Sequence, residues 1–231
     1  VRTNSPLEIP ADSVRVKTEC SAISAGTEML VYRGQLPEEL ALDDSIADMQ
    51  QSPAYPLQYG YASVGIVETL GAAGVDSTWL GKRVFCFAPH ASHFVSACEN
   101  LIEVPADINA EDAVFLANME TAINLAQDGK PVLGERVAVL GQGIVGLLLT
   151  AVLARFPLEN LLAVDGIAAR RELAQQLGAT TNCSPEQTGN QEADIVFEVS
   201  GAPEALNSAI NLTGYGSRIV VGSWYGKKVH R

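Results

Sequence analysis

Two periodicities divide the chain. Up to about residue 115, apolar and polar positions alternate in short runs broken by turn residues, the pattern of half-buried strands. Val14-Arg-Val-Lys-Thr18 is one such run. Residues 59–70, 82–87, 93–97 and 101–104 read as further strands. Glycines inside 59–70 point to a bulge or a close backbone approach. Residues 27–34 predict a short helix stopped by Gly34. Residues 36–56 are acidic and proline-bearing, and predict an irregular surface excursion. Short strands with frequent turns, read as all-β, predict a small barrel.

After Pro105 the period changes. Residues 109–117 predict a helix capped by Asn109, with Asp112 in its first turn. Residues 120–127 predict a second helix, ending near Gly129 and Pro131. Then strands at 136–140, 161–165, 194–199 and 218–222 alternate with helices at 143–156, 168–177 and 203–212. Such alternation predicts an α/β unit with a parallel sheet built from right-handed crossovers.

The turn from the first of these strands into its helix reads Gly141-Gln-Gly143-Ile-Val-Gly146. In a dinucleotide-binding turn, Gly141 allows the sharp reversal and Gly143 admits a pyrophosphate to the backbone. Gly146 lets helix and strand pack closely. The helix start offers N–H groups and the positive end of its dipole to phosphates, at Ile144 and Val145. Asp165 ends the next strand, 24 residues after Gly141, where a carboxylate accepts from ribose hydroxyls. Residues 137–154 are apolar enough to suggest a membrane span, but the glycine spacing favours strand, turn and helix.

Composition narrows the picture. The chain has 231 residues, 47% apolar and 18% charged, as a globular chain does. A net charge of −12 argues against nucleic acid or anionic membrane as the main partner. Cys20, Cys86, Cys98 and Cys183 lie far apart, as reduced, buried thiols of a cytoplasmic protein would. No basic-then-apolar leader opens the chain. The start at Val1 and the stop at Arg231, soon after a strand, suggest a fragment.

The order of strand-rich domain, helical hinge and Rossmann-type unit resembles the medium-chain dehydrogenase/reductase superfamily. Its words stand in the expected order: Tyr32-Arg-Gly34, Gly60-Tyr-Ala-Ser-Val-Gly65, Gly81-Lys-Arg-Val84, Thr121-Ala122 and Gly134-Glu-Arg-Val137. The glycine turn and Leu177-Gly-Ala179 follow. The resemblance implies a GroES-like β-barrel substrate domain at 1–115. It implies a Rossmann doubly wound parallel sheet at 116–231, lacking its last strand. It also implies an NAD-dependent oxidoreductase, with NADP as a second candidate, acting on a small-molecule substrate as a homodimer. The cofactor site would be Gly141, Gly143, Ile144, Val145, Gly146, Asp165, Arg170, Thr121 and Gly201.

The same resemblance shows a departure. Zinc-dependent members place a cysteine before the word that reads Gly26-Thr-Glu28 here, and this chain has Ala25. Their His-Glu pair after Gly60 is Tyr61-Ala62, and a further ligand position is Ala117. The cysteine-rich structural zinc lobe is replaced by Ala88-Pro-His-Ala91. Zinc takes nitrogen, sulfur or carboxylate ligands, so the expectation is a chain without zinc. Ser24-Ala-Gly-Thr-Glu28 and Gly60-Tyr61 look most like a zinc-free branch that includes the hydroxyethyl-bacteriochlorophyllide dehydrogenases. Catalytic candidates are then Thr27 and Tyr61 as hydroxyl donors, and His90 and His93 as substrate-facing groups or a proton relay. Each has a plainer reading. Thr27 can cap its helix, Tyr61 can fill the metal's volume, and the histidines can be loop polars. A quinone or enoyl reductase, and a dinucleotide-binding protein without turnover, stay open as alternatives.

Overall fold

The computed structural model describes residues 8–35, 55, 57–72, 75–189 and 192–225. They form two compact units, one running to Ala117 and one beginning at Asn118.

The first unit is built on an antiparallel sheet of GroES-like type. Its strands are β1 (Ser13–Ser21), β2 (Ser63–Leu70), β3 (Arg83–Cys86), β4 (His93–Ala97) and β5 (Ile102–Glu103). Their order is β4-β1-β2-β3-β5. Val14 and Val16 point inward and Lys17 outward, as the alternation predicts. The two valines pack with Val67, Val84, Phe94 and Leu101. The strand predicted at 59–70 starts only at Ser63, because Gly60 has a φ of +134° and cannot continue the pleat. The close approach read from its glycines is real at Gly65. A Cβ there would stand 2.2 Å from the carbonyl oxygen of Lys17 on β1.

The unit is not all-β. Helix α1 (Thr27–Tyr32) is followed by Gly34 at a φ of +64°. The helix predicted at 109–117 is split. Asn109 caps α2 (Ala110–Ala113), accepting from the N–H of Asp112 at 2.7 Å. A tight turn from Phe115 N–H to Asp112 then ends it, and α3 (Leu116–Gly129) begins. The segment at 36–54 lies outside the described residues.

The second unit is a Rossmann sheet. It runs β6 (Arg136–Leu140), α4 (Ile144–Leu153), β7 (Asn160–Val164), α5 (Ala168–Gln176) and β8 (Thr181–Cys183), then β9 (Ala193–Glu198), α6 (Glu204–Leu212) and β10 (Thr213–Val221). All neighbours are parallel, in the order β10-β9-β6-β7-β8. β6 is apolar at every position after Arg136 because both faces are covered. Val137 and Val139 pack with Leu125, Leu149 and Phe197, while Ala138 and Leu140 pack with Val196, Ala209 and Leu212. Strand β8 has no forecast in the pattern, since Thr-Asn-Cys carries no apolar period. Strand β10 begins earlier than expected, with an irregular register between Thr213 and Arg218. Among the described residues no helix is long and apolar enough to cross a membrane.

Candidate functional site

Strand order reverses between β6 and β9, and in open α/β sheets ligands bind at the carboxyl ends of the strands flanking such a point. Gly141 ends β6 at a φ of +94°, and a Cβ there would lie 2.5 Å from Ser200 Cα, just past β9. At Gly146 a Cβ would meet the Gly141 oxygen at 1.9 Å, so α4 packs directly on the turn. Gly143 differs from both. Its φ is −74° and nothing lies within 4 Å of a Cβ built on it. The fold does not need a glycine there, but a pyrophosphate against the backbone would. No side chain caps the start of α4 at Gly143, Ile144 and Val145. Those N–H groups face the position a phosphate takes in such a turn.

Gln142, between the glycines, is fully buried. Its Nε2 donates to Val139 O at 3.0 Å and its Oε1 accepts from Thr150 Oγ1 at 3.0 Å. Its side chain turns inward and leaves the outer surface of the turn bare. Asp165 follows β7 and is 8% exposed. Its Oδ2 accepts from Gln142 N–H and its Oδ1 from Ile167 N–H, both at 2.8 Å. The predicted ribose-binding carboxylate therefore also ties the glycine turn to the start of the next crossover. A carboxylate has about four lone-pair sites, so capacity for sugar hydroxyls remains. Arg170 Nη1 lies 3.6 Å from Asp165 Oδ2, and Arg171 Nη1 donates to Asp165 O at 2.7 Å.

Beyond β9 the chain builds a polar cluster that the pattern did not announce. Glu198 is fully buried. Its Oε1 accepts from the N–H and hydroxyl of Ser200, and its Oε2 accepts from the Tyr225 hydroxyl. Ser223 Oγ accepts from Gly201 N–H at 2.8 Å, and Gly201 has a φ of +69°. The available signal was an acid closing an apolar strand just before Ser-Gly, in Asp194-Ile-Val-Phe-Glu198-Val-Ser-Gly201. Burial first, then the bond to Glu198, pushes the Tyr225 phenol up to about 12. The folded chain therefore keeps this proton where the unfolded chain, near pH 10, has lost it. That contribution to stability is complete below pH 10 and fades as pH climbs through 12. In an alkaline absorbance titration, one of the six tyrosines should ionise late, and Tyr225→Phe should remove that late step. Thr121 is exposed on α3.

The first unit gathers its own cluster. Thr27 opens α1, partly buried. Glu28, next to it, receives Ser24 N–H on Oε1 at 2.8 Å and His90 Nε2 on Oε2 at 2.8 Å. His90 Nδ1 lies 3.0 Å from Ser21 Oγ. Gly60 makes room for the ring, since a Cβ there would stand 2.8 Å from His90 Cδ2. Tyr61 packs beside Leu30 and Val31, edge-on to Tyr59. The structure does not unite His90 with His93. His93 sits on β4, with Ser92 Oγ 3.2 Å from Nδ1 and Glu68 3.5 Å from Nε2. Pattern reading did not place Ser21 or Glu28 beside His90.

The residues at the family's zinc positions do not fit a metal. Ala25 is exposed, Ala62 and Ala117 belong to the apolar cluster around Val64 and Phe85, and Tyr61 borders it. Among the described residues no three His, Cys, Asp or Glu side chains are placed to hold one ion. None of the four cysteines forms a disulfide. Cys86 alone is buried, and partial burial raises the pKa of Cys20, Cys98 and Cys183.

Comparison with known proteins agrees with this architecture. Residues 145–230 match the family model described as zinc-binding dehydrogenase. D-guloside 3-dehydrogenase of Escherichia coli (strain K12) is 26% identical over 91% of this chain and 66% of its own length. (R,R)-butanediol dehydrogenase of Bacillus subtilis (strain 168) is 28% identical over 97% of this chain and 66% of its own. The chain thus spans just under two thirds of these curated relatives. A protein of Sinorhizobium meliloti 1021 solved bound to NADP superposes with a TM-score of 0.80, at 18% identity over 99% of this chain and 74% of that one. A short chain alcohol dehydrogenase of E. coli CFT073 complexed with NADH gives 0.76, at 21% identity over 99% and 73%. In its glycine turn, its strand order and these relatives together, the chain is similar to the medium-chain dehydrogenase/reductase superfamily.

Proposed function

We propose that this chain belongs to an NAD(H)-dependent oxidoreductase that moves hydride between nicotinamide and a small alcohol/carbonyl pair without catalytic zinc. The observation that carries the reading is Gly143: an open, unstrained glycine at the start of a helix, with a near-buried carboxylate behind it. Gly141, Gly143, Ile144, Val145 and Gly146 would hold the pyrophosphate, and Asp165 with Arg170 the adenosine ribose. Thr121 and Gly201 would border the nicotinamide, which supplies the hydride chemistry when bound. Relatives named for a guloside and a butanediol support a hydroxylated substrate. With no ligand set for a Lewis acid among the described residues, we assign polarisation of the carbonyl to hydrogen-bond donors, Thr27 and Tyr61. Four cysteines without a disulfide support a reducing compartment, the cytoplasm. His93, engaged with Ser92 and Glu68, we leave outside the reaction.

The test is titration with NADH, followed by a panel of hydroxylated substrates with each cofactor. Elemental analysis of the purified protein should find well under one zinc per chain, and a chelator should leave turnover unchanged. Stoichiometric zinc whose removal stops turnover would overturn the metal-free reading.

A further inference from the structure

Glu198 closes β9 at the carboxyl edge of the Rossmann sheet, in register with Leu140 just before the glycine turn. Its side chain is fully buried. Three donors face it: Ser200 N–H, the Ser200 hydroxyl and the Tyr225 hydroxyl. An ionised carboxylate only accepts, and this setting serves that form. All three donors are neutral. Among the described residues no Lys, Arg or His forms an ion pair with Glu198, whereas Asp165, at the end of β7, has Arg170 3.6 Å away. A buried charge without a counter-charge keeps its field, since neither water nor mobile ions screen it fully. The Tyr225 phenol, pushed up first by burial and then by Glu198, registers the same charge.

Strand order decides which part of a dinucleotide lies over this charge. Asp165 follows β7, so in the reading above the adenosine lies on the β7 side of the glycine turn. A dinucleotide crosses the switch point with its pyrophosphate at the helix start. Its second half then lies on the other side of β6, over the loop that leaves β9. That loop begins at Ser200, packed against Gly141. Its first three N–H groups are all used within the protein. Ser200 N–H goes to Glu198, Gly201 N–H to Ser223 Oγ at 2.8 Å, and Ala202 N–H to Ser200 Oγ at 3.1 Å. In a trans peptide the carbonyl points opposite to its N–H, so the carbonyl oxygens of these peptides turn away from the cluster. No N–H dipole of this loop is left to offset the carboxylate. All of these residues belong to the second unit.

We infer that Glu198 is a specificity-determining residue, whose buried charge makes the site favour the oxidised cofactor over the reduced one. The inference rests on the dinucleotide-binding reading above and needs no residue of the first unit. The oxidised nicotinamide ring is a pyridinium with one positive charge, and the reduced ring is neutral. The two molecules are otherwise alike, so a fixed negative charge separates them only through the ring. At an effective dielectric of about 20, unit charges about 8–10 Å apart interact strongly enough to change affinity roughly tenfold or more. Glu198 bonds only to protein groups and acts across space, so it is not a catalytic residue.

The experiment is equilibrium titration with NAD⁺, NADH and ADP-ribose, the last carrying adenosine and pyrophosphate but no pyridine ring. Glu198→Gln keeps the size and an acceptor and removes the charge. It should weaken NAD⁺ about tenfold, while NADH and ADP-ribose move by less than about twofold. Glu198→Asp keeps the charge and should restore most of the NAD⁺ affinity. A purely structural role would move all three ligands together, because all three use the glycine turn. Equal losses for the three, or an unchanged NAD⁺ titration for Glu198→Gln, overturn the inference alone. Where circular dichroism shows Glu198→Gln unfolded, the unmodified protein and Tyr225→Phe carry the test, since both keep the carboxylate. Both should bind NAD⁺ at least as tightly as NADH, and a preference for NADH of about tenfold or more in either overturns the inference. Binding of none of the three ligands by the unmodified protein sinks the dinucleotide reading, and the inference with it.

Discussion

Gly143→Val is expected to lose NADH affinity by at least ~10² while the circular dichroism spectrum stays that of the unmodified protein. Two features make the loss selective. A Cβ at Gly143 meets no protein atom within 4 Å, and its φ of −74° suits any residue. The folded chain therefore gains no clash, only the loss of about 1 kcal/mol or less from a poorer helix N-cap. A bound pyrophosphate is pushed off the backbone instead. Each charge-assisted hydrogen bond lost there is worth roughly 1.5–3 kcal/mol, so two of them give the expected loss. Gly146→Ala should do the opposite. Its Cβ would stand 1.9 Å from the Gly141 oxygen, and that neighbour is backbone, which cannot swing aside. Overpacking of this kind destabilises by about 1–3 kcal/mol, read as a lower midpoint in thermal unfolding. Unchanged NADH titration by Gly143→Val would mean that the turn does not cradle phosphate. An unchanged midpoint for Gly146→Ala would mean that α4 does not pack as described.

The contrast between these glycines also shows where reading from sequence works. The fingerprint names three glycines with three different jobs; Gly141 and Gly146 stand close against backbone, and Gly143 has open space where a Cβ would go. Strand β6 and the crossovers around it were legible because a doubly covered parallel strand is apolar throughout and a surface helix is not. Strand β8 was not, because its pairing with β7 is made by the backbone of Thr-Asn-Cys and leaves no hydrophobic period. The candidate site divides in the same way. Local spacing exposed the glycine turn and Asp165. The Glu198–Tyr225 bond spans 27 positions, and the Glu28–His90 pair spans 62. No local pattern carries contacts of that reach. Glu28 read as a first-turn acid and His90 as a substrate-facing or relay candidate, and only the fold brought the two within 2.8 Å. Gln142 was the variable residue of a motif, and its full burial came from a helix hydroxyl, Thr150, that no spacing rule names.

Cofactor choice should follow from Asp165, with NADH bound more tightly than NADPH by about one to two orders of magnitude. One solved neighbour holds NADP and another NADH, so in this reading the side chains at the ribose decide. Asp165 is 8% exposed and held by two backbone N–H groups, so it cannot turn away from an incoming 2′-phosphate. Like charges in such a partly desolvated place cost several kcal/mol. Arg170 reduces that penalty. Its guanidinium stands 3.6 Å from the carboxylate and is 47% exposed, so it can reach a phosphate. Arg171 is less available, because its Nη1 is spent on the Asp165 carbonyl. Removing Arg170 as Arg170→Ala should therefore widen the preference for NADH, and Asp165→Ser should narrow it. The second change carries a structural penalty as well. Gln142 N–H and Ile167 N–H lose their acceptor, at about 1–3 kcal/mol for each that stays buried and unpaired. Asp165→Ser should thus lower the unfolding midpoint while shifting specificity, and Arg170→Ala should shift specificity with little change in midpoint. Superimposable NADH and NADPH titrations on the unmodified protein would show that this carboxylate does not read the ribose.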